Sequence, residues 1–139
     1  MRALTAFTST IAASKGIKLF VDWHSYGQYI LLPYGYNCQA RAANHNKQLS
    51  LAQGLGSRIR SVGGTSWTVG PSCSTLYMTT GSSTDYLMDV SKAELAWTIE
   101  LRPSGNSGTS GFVLPAAQIL PSAREQWEGL VWLLTNSSF

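Results

Sequence analysis

Residues 17–36 read IKLFVDWHSYGQYILLPYGY, and the first seven of them decide what kind of fold the chain builds. IKLFVDW is a short, nearly continuous apolar run, the mark of a strand covered on both faces by helices. His24 closes it. From Ser25 to Ala42, punctuation by glycine, Pro33 and Asn37 predicts a loop. A second strand of the same kind is ELAWTIEL, residues 94–101. Outward from these two, Leu4, Phe7 and Ile11 fall at helical spacing, so residues 2–14 read as a helix stopped by Lys15-Gly16. Ala52, Leu55, Ile59 and Val62 mark one face of another helix, which ends at Gly63-Gly64. Residues 65–69 read as a short strand. Residues 71–84 read as a long loop interrupted by Leu76-Tyr77-Met78, a length usually kept for function. Ser83-Thr84-Asp85 caps a short helix reaching about Lys92. A glycine- and serine-rich loop covers 103–111, and Ala123, Trp127, Leu130, Val131 and Leu134 make the strongest helical stripe. The order αβαβαβα predicts an α/β fold: one mostly parallel, mixed and twisted sheet with helices on both faces.

Composition narrows the function classes. The 139 residues are one domain's worth of chain, and only 12% are charged, so neutral polar side chains must keep the surface wetted. Such a surface leans toward a secreted protein. The net charge of +3 is scattered, with Arg58 and Arg60 as the nearest approach to a cluster, which argues against nucleic acid. No apolar run is long enough for a membrane helix, and the spaced apolar residues of MRALTAFTSTIAASKG do not make a signal peptide. Cys38 and Cys73 both fall in loops. A bridge between them suits an oxidising compartment, two unpaired thiols are the alternative, and the residues alone leave both open.

In sheets of this type ligands gather beyond the carboxyl ends of the strands. His24, Glu100 and the loop bearing Tyr77 all fall there, bringing an imidazole, a carboxylate and a phenol together. Each also has a plain structural reading. His24 is then a polar strand end, Glu100 pairs with Arg102, and Tyr77 is a packed loop aromatic.

Four groups of residues, in order along the chain, carry a resemblance: HSYGQYILLPYGY (24–36), GTSW (64–67) with STLYMTTGSSTDY (74–86), TIELRPSG (98–105) and GFVLPAAQILPSAREQW (111–127). Together they resemble the C-terminal half of the catalytic domain of zinc metallocarboxypeptidases of the carboxypeptidase A family. The resemblance implies that His24 is a zinc ligand and Glu100 the general base toward zinc-bound water. It implies that Tyr77 folds over the C-terminal carboxylate of a peptide substrate. Ser25 and Tyr26 would line the adjoining subsite, Phe112 would wall it, and Arg102 would tune Glu100 from the same strand face. The pocket for the substrate's last side chain would have Thr84 as its floor and Ser72, Leu76, Thr79 and Thr98 around it. That lining is neutral, with Asp85 read as a helix cap, so aromatic and large aliphatic residues are the expected substrates. A secreted enzyme with a Cys38–Cys73 bridge is implied as well.

The same resemblance exposes a gap. The family's His-x-x-Glu zinc pair and its Asn-Arg carboxylate clamp have no counterpart here, since His45 is followed by Asn46, Lys47 and Gln48. The expectation is therefore that residues 1–139 are the C-terminal portion of a catalytic domain. One zinc ligand is present, the others lie upstream of Met1, and the missing N-terminal half is a partner without which the chain is inactive. A catalytically dead module that still binds peptide C-termini is the alternative. A secreted carbohydrate-binding module, prompted by five tryptophans and six tyrosines, is the third reading, disfavoured because Trp97 and Trp127 fall in core patterns.

Overall fold

The structure, a computed structural model, describes residues 2–105 and 111–138, so the predicted loop at 103–111 lies largely outside the described residues. Its elements are α1 (Arg2–Ser14), β1 (Leu19–Gly27), β2 (Tyr29–Leu32), α2 (His45–Gly63), β3 (Thr68–Pro71), α3 (Ser72–Thr75), α4 (Ser83–Asp89), β4 (Leu95–Ser104) and α5 (Ile119–Asn136), with a 3₁₀ turn at Ala116–Gln118. The strands lie in the order β1-β4-β2-β3. β1 runs parallel to β4 and β2 parallel to β3, while β2 and β4 are antiparallel, so the sheet is mixed as expected.

Period-two alternation along β1 and β4 sorts the side chains onto two faces. Leu95, Trp97 and Ile99 of β4 join Ile30 and Leu32 of β2, Ala52, Leu55 and Ile59 of α2, and Leu133 of α5 in the main core. On the other face Ala96 packs with Leu87 and Ala93, and Phe20 adds to them from β1. Helices therefore cover both faces: α2 and α5 one, α4 the other.

Three sequence expectations are corrected. Residues 25–42 are not all loop, because β1 continues to Gly27 and β2 follows at once. The glycine there serves a turn: Gly27 (φ +151°) and Gln28 (φ +59°) reverse the chain so that β2 returns on the far side of β4. Ile30, Leu31 and Leu32, read as loop, are almost wholly buried. Next, Asp85 does not cap α4. Its carboxylate accepts the backbone N–H groups of Gly35 (3.0 Å) and Tyr36 (3.2 Å), tying α4 to the segment after β2.

The third correction concerns α5. Its buried residues are Ser122, Glu125, Gln126, Gly129 and Leu133, whereas the predicted stripe is turned outward, with Trp127 66% exposed and Val131 and Leu134 also exposed. Close packing decides this. A Cβ at Gly129 would fall within 2.8 Å of Ile59 and Leu55, so the glycine is what lets α5 lie against α2. The core argument against exposed tryptophan thus holds for Trp97, which is fully buried, and fails for Trp127.

Two expected results follow. The apolar surface of α5 lies open along with Leu4 and Phe7 of α1, and β1 presents an unpaired edge. The isolated chain should therefore sediment as an oligomer at micromolar concentration, and a monodisperse monomer would refute this. Cys38 and Cys73 are bridged, with Cα atoms 4.8 Å apart and a separation of 35 positions in sequence. Breaking the bridge by Cys→Ser substitution should cost about 3–4 kcal/mol of unfolding free energy. A loss below about 1 kcal/mol would show that the denatured chain is not what the bridge restrains.

Candidate active site

Parallel pairing of β1 with β4 sets Asp22 beside Thr98 and His24 beside Glu100, all on one face. Antiparallel pairing with β2 brings Leu31 opposite Thr98. The main core fills the other face, so these polar side chains project into the space under the 72–83 segment. There a cavity of about 380 Å³ is lined by Asp22, His24, Leu31, Ser72, Leu76, Tyr77, Thr79, Gly81, Ser82, Ser83, Thr98 and Glu100. Seven predicted site residues converge on it: His24, Ser72, Leu76, Tyr77, Thr79, Thr98 and Glu100. Tyr77, 62% exposed, stands at its mouth.

The Glu100 carboxylate is largely shielded, and its Oε2 is buried without a hydrogen-bond partner among the described residues. Burial pushes its pKa above the ordinary carboxylate value, the His24 imidazole opposes that, and the charge of Asp22 reinforces it. The shift favours a group that must first take up and then release a proton. His24 Nδ1 lies 4.0 Å from Glu100 Oε1, and its Nε2 lies 3.1 Å from Asp22 Oδ1. Ser83 Oγ donates to the other oxygen of Asp22.

Other placements correct the sequence reading. Arg102 does not touch Glu100. Its Nε donates to Glu125 Oε1 (2.9 Å), its Nη2 to Glu125 Oε2 and its Nη1 to Gln118 Oε1 (2.6 Å), so its charge is held on the α5 side of the sheet. The break in β1–β4 register between Ser25 and Gly27 accompanies this departure from simple alternation. Thr84 does not line the cavity. It is buried, with its hydroxyl 2.7 Å from Ser82 Oγ. Ser25, Tyr26 and Phe112 also lie outside this cavity. Tyr26 and Phe112 form an edge-to-face pair with centroids 4.9 Å apart. The lining is not wholly neutral, because Asp22 belongs to it. That residue was missed in sequence, although its place two positions before His24 on the same strand face was the signal that could have found it.

Zinc in a protein site takes three or four protein donors. An imidazole such as that of His24 suits such a role, but among the described residues no group of three or more His, Cys, Asp or Glu side chains is placed to hold an ion. His24 therefore fits as one donor, and the described residues do not complete a site.

The Zinc carboxypeptidase family model matches residues 1–129. A metallocarboxypeptidase A-like protein of Trichophyton verrucosum is 44% identical over 129 residues, 93% of this chain and 30% of the relative. Metallocarboxypeptidase A of Trichophyton rubrum is 46% identical over 124 residues, covering 89% of this chain and 29% of the relative. Among solved structures, bovine thrombin-activatable fibrinolysis inhibitor, in complex with tick carboxypeptidase inhibitor, superposes with a TM-score of 0.83 at 27% identity, over 96% of this chain and 43% of that one. The chain spans about 30% of the length of the curated relatives it matches.

Proposed function

The chain belongs to the zinc carboxypeptidase family, and from that premise we propose that it forms part of the active site of a zinc-dependent metallocarboxypeptidase acting on peptide C-termini. The observation that carries this reading is the convergence of His24, Glu100 and Tyr77 on one cavity whose walls include Leu31, Leu76, Thr79 and Thr98. His24 would hold the metal through a ring nitrogen. When bound, zinc would polarise the scissile carbonyl and acidify a water molecule. Glu100, with one buried oxygen unpartnered, would accept that water's proton and pass it to the departing amine. Tyr77, on an exposed segment at the mouth, would close over the bound terminus and exclude water. The remaining zinc and carboxylate-binding groups would come from a further part of such a domain. The Cys38–Cys73 bridge supports a secreted enzyme.

For specificity, Leu31, Leu76, Thr79 and Thr98 offer apolar and weakly polar surface to the substrate's last side chain. The acids of the lining are Asp22, whose two oxygens face His24 and Ser83, and Glu100, which on this reading is committed to the role of base. A substrate ammonium would find no free counter-charge, at a cost of several kcal/mol, whereas an aromatic or large aliphatic side chain gains from burial. We expect a chimera in which this chain replaces the matching segment of the Trichophyton rubrum relative to cleave blocked dipeptides ending in Phe or Leu faster than those ending in Lys. The reverse order in kcat/KM would overturn the preference.

A second reading has one observation in its favour: among the described residues no complete metal-binding group exists. On that reading the chain is a catalytically dead module that binds peptide C-termini. An inactive chimera that still binds such peptides would support it; turnover abolished by His24→Ala would exclude it.

A further inference from the structure

Asp22 enters neither the family resemblance nor the catalytic roles above, yet its carboxylate lies between two polar partners. Oδ1 faces His24 Nε2 at 3.1 Å, and Oδ2 accepts the hydroxyl of Ser83. The two residues share a face of β1, and pairing with β4 fixes both against Thr98 and Glu100. Ser83 comes from α4, on a different part of the chain, so the carboxylate is anchored from both sides.

We propose that Asp22 is a positioning residue for His24. It accepts the Nε2–H, which makes Nδ1 the unprotonated nitrogen and keeps that lone pair directed toward Glu100. The chemistry is general. A neutral imidazole carries its proton on one nitrogen only, and the hydrogen bond at one nitrogen determines which of the two can bind a metal. A ligand histidine held by a carboxylate on its far side is fixed in ring orientation and made more basic as a donor. Ser83 in turn keeps Asp22 from rotating away, so a three-residue chain from α4 through β1 sets the ring. The importance of this role to catalysis rests on His24 being a zinc donor; the pairing itself does not.

The test uses the full 139-residue chain. With only two histidines in the sequence, 15N-histidine labelling gives two side-chain signals, and His45→Asn identifies the one from His24. Magic-angle-spinning spectra in mildly alkaline buffer do not require a monomer. The expected result is a hydrogen-bonded Nε2–H on His24, close enough to a labelled Asp22 carboxyl carbon for direct dipolar coupling. Asp22→Val should abolish that bonded signal, while Asp22→Asn, which keeps an acceptor oxygen, should retain it. A proton on Nδ1 in the unaltered chain, or no coupling to Asp22, would overturn the proposal, even if Asp22→Val does not fold.

Adding zinc alone should then move the Nδ1 resonance and leave Nε2–H in place, and metal taken at Nε2 would also overturn the assignment. In Asp22→Val the zinc concentration needed should rise roughly 10- to 100-fold. If zinc moves neither nitrogen while the Asp22 coupling is present, the positioning by Asp22 stands, and the single donor of this chain does not hold the ion without the rest of the site.

Discussion

Replacing Arg102 by methionine is expected to destabilise the chain by about 3–5 kcal/mol. The Glu125 side chain is fully buried, and the Arg102 guanidinium, 12% exposed, supplies two of its contacts. Removing that partner leaves a carboxylate out of water with no compensating charge, and this costs more than the pair itself is worth. The double substitution Arg102→Met with Glu125→Leu should recover most of the loss, since an apolar pair of similar volume satisfies the same space. Urea unfolding at fixed protein concentration measures both. A single variant within about 1 kcal/mol of the parent would show that the buried carboxylate finds other partners.

Glu100→Gln should lower kcat in the chimeric enzyme by roughly 10²- to 10⁴-fold, the usual contribution of a positioned general base. The amide keeps the shape and one acceptor but cannot take a proton. KM should change little, because on the proposed reading the substrate's side chain and terminus would rest on Tyr77, Leu76, Thr79 and other residues of the cavity. A variant retaining more than about a tenth of the parent kcat would remove Glu100 from the role of base. Stability moves in the other direction. Among the described residues Glu100 has a buried oxygen without a partner, and burial disfavours its charged form, so the neutral isostere should not weaken the fold, and lost activity cannot be put down to unfolding.

The two predictions concern glutamates with opposite histories in the sequence. Glu100 ends an apolar run at the carboxyl end of a strand, and that alone marks it as out of place in a core and near a ligand site. Glu125 stands between Arg124 and Gln126 near the start of the last helix, where nothing local marks it for burial. The structure buries it because Arg102, 23 residues earlier, reaches across to meet it. No local pattern announces such a partner. The outward turn of Trp127 has the same origin: periodicity counts apolar residues, while the face that packs is chosen by fit, here by Gly129 against Leu55 and Ile59.

By itself the sequence determined the strands around residues 19–23 and 95–101, the helix over 2–14, the helix marked by Ala52, Leu55, Ile59 and Val62, and the α/β class, because near-continuous apolar runs and helical spacing are local signals. It also pointed to His24, Glu100 and Tyr77 as neighbours, because the ends of parallel strands lie at one edge of a sheet. Only the tertiary structure decided that the YILL segment is a strand, since its hydrogen-bond partners are β3 and β4, distant in sequence. It alone drew Asp22 into the site and took Arg102 out of it. Both outcomes depend on register and on which face of the sheet each side chain meets, and these are properties of the assembled strands that no short stretch of residues contains.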